Sequence, residues 1–214
     1  MRPDLALLAG MTPRGSRVLD LGCGDGALLE NLIHERACEG QGVEISSDGF
    51  HACIDRGVPV MRGDIDDGLE DFEDDSFDIV ILSQTLQATR RPDFVLSEMF
   101  RIGRTAIVSF PNFAHWGLRA RILFRGVMPV SRALPYRWYD TPNIHLCTIH
   151  DFERLVVEVG LRPRRFVPLN ARGGEAGPFA RRRPNLFASG AVYLLEPVDL
   201  DERAGRRGDG AAGG

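Results

Sequence analysis

Val18-Leu19-Asp20-Leu21-Gly22-Cys23-Gly24-Asp25-Gly26 is the stretch that decides the fold. Val18, Leu19 and Leu21 read as a short buried strand over residues 17 to 21. Glycines follow at alternate positions, and Ala27-Leu28-Leu29-Glu30-Asn31-Leu32-Ile33 has the spacing of a helix over residues 26 to 37. Strand, glycine turn and helix together bring backbone close to a ligand at a helix N-terminus. Asp20 lies at this turn. A loop that holds pyrophosphate should avoid an anion there, whereas a ligand carrying an ammonium and a sulfonium would favour one. That charge tilts the expected ligand from a dinucleotide towards S-adenosylmethionine (SAM) or S-adenosylhomocysteine. Taken alone, Gly22-x-Gly24-x-x-Ala27 also fits the dinucleotide fingerprint, so a nicotinamide-dependent oxidoreductase stays an alternative.

Outward from this turn, β and α patterns alternate. Asp4 is a candidate cap for one amphipathic turn carrying Leu5, Leu7 and Leu8. Gly42-Val43-Glu44-Ile45 reads as strand 2, and Ser46 as the N-cap of a helix ending near Gly57. Val58-Pro59-Val60-Met61 is a short third strand, ended by Gly63-Asp64-Ile65-Asp66. Phe77-Asp78-Ile79-Val80-Ile81-Leu82 is a central strand by its continuous apolar run. Pro92 opens another helix, and Thr105 to Phe110 is strand 5. This order predicts a single α/β domain over residues 1 to 198, Rossmann-like, with a mostly parallel sheet and helices on both faces. Residues 111 to 149 break the pattern and read as an irregular aromatic insertion. A helix over Asp151 to Val159 and strands over Leu161 to Leu169 and Leu186 to Leu195 follow, with Ala171 to Pro184 a mobile loop between the strands. Residues 199 to 214 are charged, glycine-rich and expected to be a disordered tail.

Composition narrows the function classes. A net charge of -4 argues against a general nucleic-acid binder. No apolar run approaches membrane-spanning length, and the start Met1-Arg2-Pro3-Asp4 opens no signal peptide. Cys23, Cys38, Cys53 and Cys147 form no close pair, so neither zinc nor disulfides are expected, and the thiols suit a cytoplasm. All 26 basic residues are arginine, which leaves no lysine for Schiff-base chemistry.

Candidate ligand groups fall at successive strand ends, where such sheets bind ligands. Glu44 is placed to accept both hydroxyls of a ribose, or else to cap a helix. Asp64 is placed to accept from an exocyclic adenine amine, with Ile65 over the ring face, or else to serve a surface turn. Asp78, in the central strand, and Ser83, at its end, complete the set. After strand 5 come Asn112, His115, Tyr136, Tyr139, Asp140 and His145. His115 or His145 would serve as a general base, and Tyr136 and Trp138 would pack a substrate or a partner. Such residues also commonly satisfy backbone groups in irregular loops. No metal-ligand spacing and no Gly-x-Ser-x-Gly elbow is present.

Asp20-x-Gly22-x-Gly24-x-Gly26, Glu44 and Gly63-Asp64-Ile65 resemble motifs of class I SAM-dependent methyltransferases. The resemblance implies a seven-stranded sheet with a reversed last hairpin, and a SAM site at Asp20, Gly22, Gly24, Gly26, Glu44, Asp64, Ile65 and Ser83. Ser83-Gln84-Thr85-Leu86 stands where amino-methylating members often carry Asn/Asp-Pro-Pro-aromatic, which disfavours DNA bases and glutamine amides as acceptors. The second half is more particular. Ser83 to Gln87, Ser109-Phe110-Pro111-Asn112-Phe113, His115-Trp116, Met128-Pro129-Val130, Leu134-Pro135-Tyr136-x-Trp138-Tyr139-Asp140-Thr141-Pro142-Asn143-Ile144-His145 and Cys147-Thr148-Ile149-x-Asp151-Phe152 closely resemble the methionine-biosynthesis MetW family. That resemblance implies a partner or activator role beside homoserine O-acyltransferase, with no methyl acceptor attached to the family. A SAM-dependent methyltransferase acting on a small molecule is the alternative.

Overall fold

The computed structural model describes residues 1–131 and 134–198. The expected tail, 199 to 214, lies outside the described residues.

Seven strands form one sheet in the order β3-β2-β1-β4-β5-β7-β6. They are β1 (Arg17–Leu21), β2 (Glu39–Glu44), β3 (Val60–Arg62), β4 (Phe77–Ser83), β5 (Gly103–Pro111), β6 (Leu161–Leu169) and β7 (Gly190–Pro197). β7 runs antiparallel to both β5 and β6, and the other pairings are parallel. The helices are α1 (Pro3–Met11), α2 (Ala27–Arg36), α3 (Ser47–Asp55), α4 (Pro92–Ile102), α5 (Trp116–Arg125), α6 (Ile149–Glu158), α7 (Pro178–Arg182) and α8 (Pro184–Phe187).

The continuous apolar runs of β1, β4 and β5 are explained by burial on both faces. Leu19, Leu21, Val80, Leu82 and Val108 pack with Leu96 and Met99 of α4 and Phe152 and Val156 of α6. The alternate residues Val18, Ile79, Ile81 and Ile107 pack on the other face with Leu8 of α1, Leu29 and Leu32 of α2, and Cys53 of α3. Tyr193 of β7 closes the first core against Phe110, Phe152 and Phe166, and its hydroxyl donates to Glu153 Oε1 at 2.9 Å.

The expected elements shift in several places. β2 starts at Glu39 and ends at Glu44, so Ile45 is outside the strand and exposed. β3 starts at Val60, past Pro59. α1 is a nine-residue helix with Pro3 in its first turn, so Asp4 lies inside the helix rather than capping it. Residues 184 to 187 are a helical turn, and β7 starts only at Gly190. The expected loop over 171 to 184 contains α7 and a turn closed by Asn170, whose N–H donates to Gly174 O at 2.8 Å. The stretch read as irregular contains α5. Its apolar period is hidden because Ile122, Leu123 and Phe124 face solvent while Leu118 is buried.

Candidate functional site

The glycine turn leaves β1 at the carboxyl edge of the sheet. Gly22, Gly24 and Gly26 all have left-handed φ, at 71°, 59° and 74°. A Cβ at Gly22 would lie 2.7 Å from Thr85 Oγ1, so that position needs glycine for space as well as for φ. Gly22 N and Cys23 N both donate to Val43 O, which ties the turn to β2.

Glu44, buried at the end of β2, holds the turn from the other side. Its Oε2 accepts from Gly24 N and its Oε1 from Ser46 N, each at 2.8 Å. Ser46 in turn caps α3 by accepting from Gly49 N at 3.0 Å. Asp20 lies beneath the turn, 2% exposed, and its Oδ1 has no partner among the described residues. Burial, and then the charge of Glu44, push its carboxyl up to about 8. Cys23 and Cys53, distant in sequence, meet with sulfurs 3.7 Å apart, and Cys53 Sγ donates to Gly24 O. Sequence spacing hides this proximity; both are free thiols.

Two cavities meet at Gly22 and Thr85. The first, about 1050 Å³, is lined by Asp20, Gly24, Ser83, Gln84 and Tyr136 among others. The second, about 240 Å³, is lined by Asp64, Ile65, Arg90 and Ile144 among others. Of the expected cofactor residues, Asp20, Gly22, Gly24, Ser83, Asp64 and Ile65 are thus brought together. Gly26 and Glu44 support the turn: Gly26 precedes α2 in left-handed geometry, and each Glu44 carboxylate oxygen accepts from a backbone N–H.

Asp64 is also engaged. Its Oδ1 accepts from Asp66 N and its Oδ2 from Arg90 Nη2, each at 2.9 Å. Arg90 bonds Asp66 and Asp67 as well. Asp78 is not in the site at all. It sits at the amino end of β4, accepts from Arg17 N at 2.9 Å and Arg17 Nη2 at 3.1 Å, and Arg17 holds its carboxyl below the usual range.

The candidates for chemistry, His115, Tyr136 and His145, separate. Tyr136 alone of these three lines the first cavity. His115 caps α5, its Nδ1 accepting from Gly117 N at 3.2 Å, and burial lowers its basicity. His145 lines neither cavity and follows Ile144 of the second: its backbone N–H donates to Gln87 O at 3.0 Å and its Nε2 lies 3.4 Å from Arg90 O. Asn112 is structural, with Nδ2 donating to Ala188 O at 2.9 Å and Oδ1 accepting from Ala114 N at 3.0 Å. Tyr139 and Asp140 are exposed.

Two groups went unseen in the sequence. Gln84 lies just past β4 with φ at 55°, its N–H donating to Ser109 O at 2.9 Å. Its strained backbone is recognisable only in three dimensions. Arg90 is separated by more than twenty residues from the acids it bridges.

Around the insertion, apolar side chains face outward. Phe124 is 81% exposed and Trp138 74%, and Trp116, Leu123, Val127, Met128, Tyr136, Tyr139, Ile144 and Leu146 are exposed too. No helix among the described residues is long and apolar enough to cross a membrane.

A parallel sheet with this strand order, an antiparallel β7 and a glycine turn after β1 is the fold of SAM-dependent methyltransferases. An S-adenosylmethionine-dependent methyltransferase from Mesorhizobium loti superposes with a TM-score of 0.66 at 19% identity, covering 89% of this chain and 96% of that one. A possible histamine N-methyltransferase from Thermotoga maritima gives 0.64 at 18% identity, covering 92% and 88%. The cyclase SpnF gives 0.65 at 18% identity, covering 91% and 81%, so the shared fold leaves the activity open. The chain itself belongs to the methionine biosynthesis protein MetW family, whose sequence pattern matches residues 2–195. A curated relative from Rhodopirellula baltica, the bifunctional methionine biosynthesis protein MetXA/MetW, is 39% identical over 158 residues. The match covers 70% of this chain and 25% of that protein, so the chain corresponds to about a quarter of its relative.

Proposed function

We propose that this chain is a SAM-binding regulatory subunit that docks on homoserine O-acyltransferase in the cytoplasm. The observation that carries this reading is the set of exposed aromatic side chains Trp116, Phe124, Tyr136, Trp138 and Tyr139, of which Tyr136 also lines the first cavity. Exposed apolar clusters of this kind mark protein interaction sites. The joined name of the MetXA/MetW relative supports the choice of partner, since both parts share one chain there.

The site suits SAM. Asp20 has an acceptor with no partner among the described residues, buried where an ammonium would supply the missing charge and donor. Gly22 and Gly24 admit close backbone approach. Asp64 and Ile65 offer an acceptor and an apolar cover for adenine, and Ser83 a hydroxyl near the junction. SAM, when bound, brings an activated methyl group. A regulatory role asks only that SAM favour one state of the complex over another.

The second reading, a small-molecule methyltransferase, is favoured by a third cavity that shares Gln84 and Tyr136 with the first. Tyr136 is the residue best placed to meet an acceptor there. The test is co-purification of the tagged chain from its own cells. Mass spectrometry would identify the partner and the retained ligand, and labelled SAM would report methyl transfer. An acyltransferase stimulated by the chain, with no methylated product, supports the regulatory reading. Turnover of a defined acceptor without acyltransferase association would replace it by the second.

A further inference from the structure

The third cavity has a volume of about 430 Å³, within the range of small-ligand sites. Its rim carries opposite charges. Asp4, in the first turn of α1, and Arg172, in the turn after β6, both line it. The Asp4 carboxylate is nearly buried, and its Oδ2 accepts from Arg2 Nη2 at 3.2 Å. Arg172 has no carboxylate partner among the described residues, although its neighbour Gly173 packs against α1. A Cβ on Gly173 would lie 3.4 Å from Asp4 N and Oδ1. Arg2 also lines the cavity and holds Asp4 through Oδ2 alone, which leaves Oδ1 to a ligand. Gln87, also in the lining, is buried, its Nε2 donating to Gln84 O while its Oε1 has no partner among the described residues. Gln84, beside it, keeps a left-handed backbone that a non-glycine residue adopts at a cost, as residues at ligand sites often do.

We propose that this cavity binds a small free α-amino acid. The carboxylate meets Arg172, the ammonium meets Asp4, and the side chain extends toward Gln84, Gln87 and Tyr136. A zwitterion matches a rim that offers the Arg172 guanidinium to a carboxylate and the second oxygen of Asp4 to an ammonium, and a polar side-chain tip meets the amide wall that lacks a donor. The proposal goes beyond the regulatory reading, which needs only the other two cavities and the aromatic surface.

The test is calorimetric titration of the full chain with L-homoserine and with L-methionine, each compared with its carboxamide. Saturable binding of a free amino acid is expected. Replacing its carboxylate, or making Arg172→Ala, should weaken that binding about ten- to a hundredfold, as expected for loss of a charge-assisted hydrogen bond. Arg172→Ala should melt as the unaltered chain does, because its side chain is exposed and the backbone bond from Arg172 N to Asn170 Oδ1 remains. Its SAM titration should also be unchanged. Absence of saturable binding of both amino acids at millimolar concentration would overturn the proposal. So would equal binding of acid and carboxamide, or affinity indifferent to Arg172→Ala.

Discussion

Glu44 holds Gly24 in place: its Oε2 accepts the Gly24 N–H at 2.8 Å, across the gap between the end of β2 and the glycine turn. The residue expected to meet ribose hydroxyls is thereby also a strut of the turn. A carboxylate has about four lone-pair sites, so sharing its oxygens with a ribose is feasible.

Glu44→Ala should therefore lower stability as well as SAM affinity. Each lost bond to a charged acceptor is worth about 1.5–3 kcal/mol. Thermal melts should show the destabilisation, and calorimetry an affinity about ten- to a hundredfold weaker. Unaltered values in both measurements would remove Glu44 from the turn and from the site.

Asp20 sets a pH dependence. Its carboxyl moves from the ordinary 3.8 up to about 8, so across that interval the folded chain keeps a proton that the unfolded chain has released. Its contribution to stability then falls as pH rises through that window. The unliganded chain should lose melting temperature between about pH 6 and about pH 8, and Asp20→Asn should flatten that loss. A cationic ligand favours the ionised form, so binding near neutral pH should release a proton. Titration in two buffers of different ionisation enthalpy would read that release.

Trp138→Ala separates association from folding. With the ring exposed and packed edge-on against Tyr139, its removal opens no core cavity. Melting and SAM binding should persist, while a pull-down with the acyltransferase should lose about 2 kcal/mol or more if Trp138 is an anchor. Full retention of the partner would exclude this stretch from the interface.

Gln84→Gly relaxes a left-handed backbone, a gain of about 1–2 kcal/mol. Glycine's extra unfolded-state freedom offsets about 0.5–1 kcal/mol of it. The melting temperature should hold or rise slightly. Ligand binding beside Gln84 should weaken, which titration of the same variant would detect.

Much of this was legible in the sequence because it is local. Asp20 followed by alternate glycines fixes strand, turn and helix within a few residues, and the doubly buried runs of β4 and β5 announce a parallel sheet. What escaped depends on direction and distance. Asp78 has the right residue type in the right strand, but at the end away from the turn. His115 reads equally well as a base or a cap, and only the bond from Gly117 N decides. Glu44 could not be seen to turn back on Gly24, nor Asp64 to be engaged by Arg90. α5 was missed because Trp116, Ile122, Leu123 and Phe124 face solvent and only Leu118 is buried, which leaves no apolar stripe to read.

That helix has a dynamic consequence. Among its ten residues only Leu118 is buried, and its ends are set by His115 and a left-handed Gly126. Isolated helices of this length are marginal in water, so little besides the two caps opposes its fraying. Its backbone amides should exchange with deuterium far sooner than those of α4, which buries Val95, Leu96, Met99 and Ile102. A protein that covers α5 would slow that exchange locally and mark its own footprint on the chain.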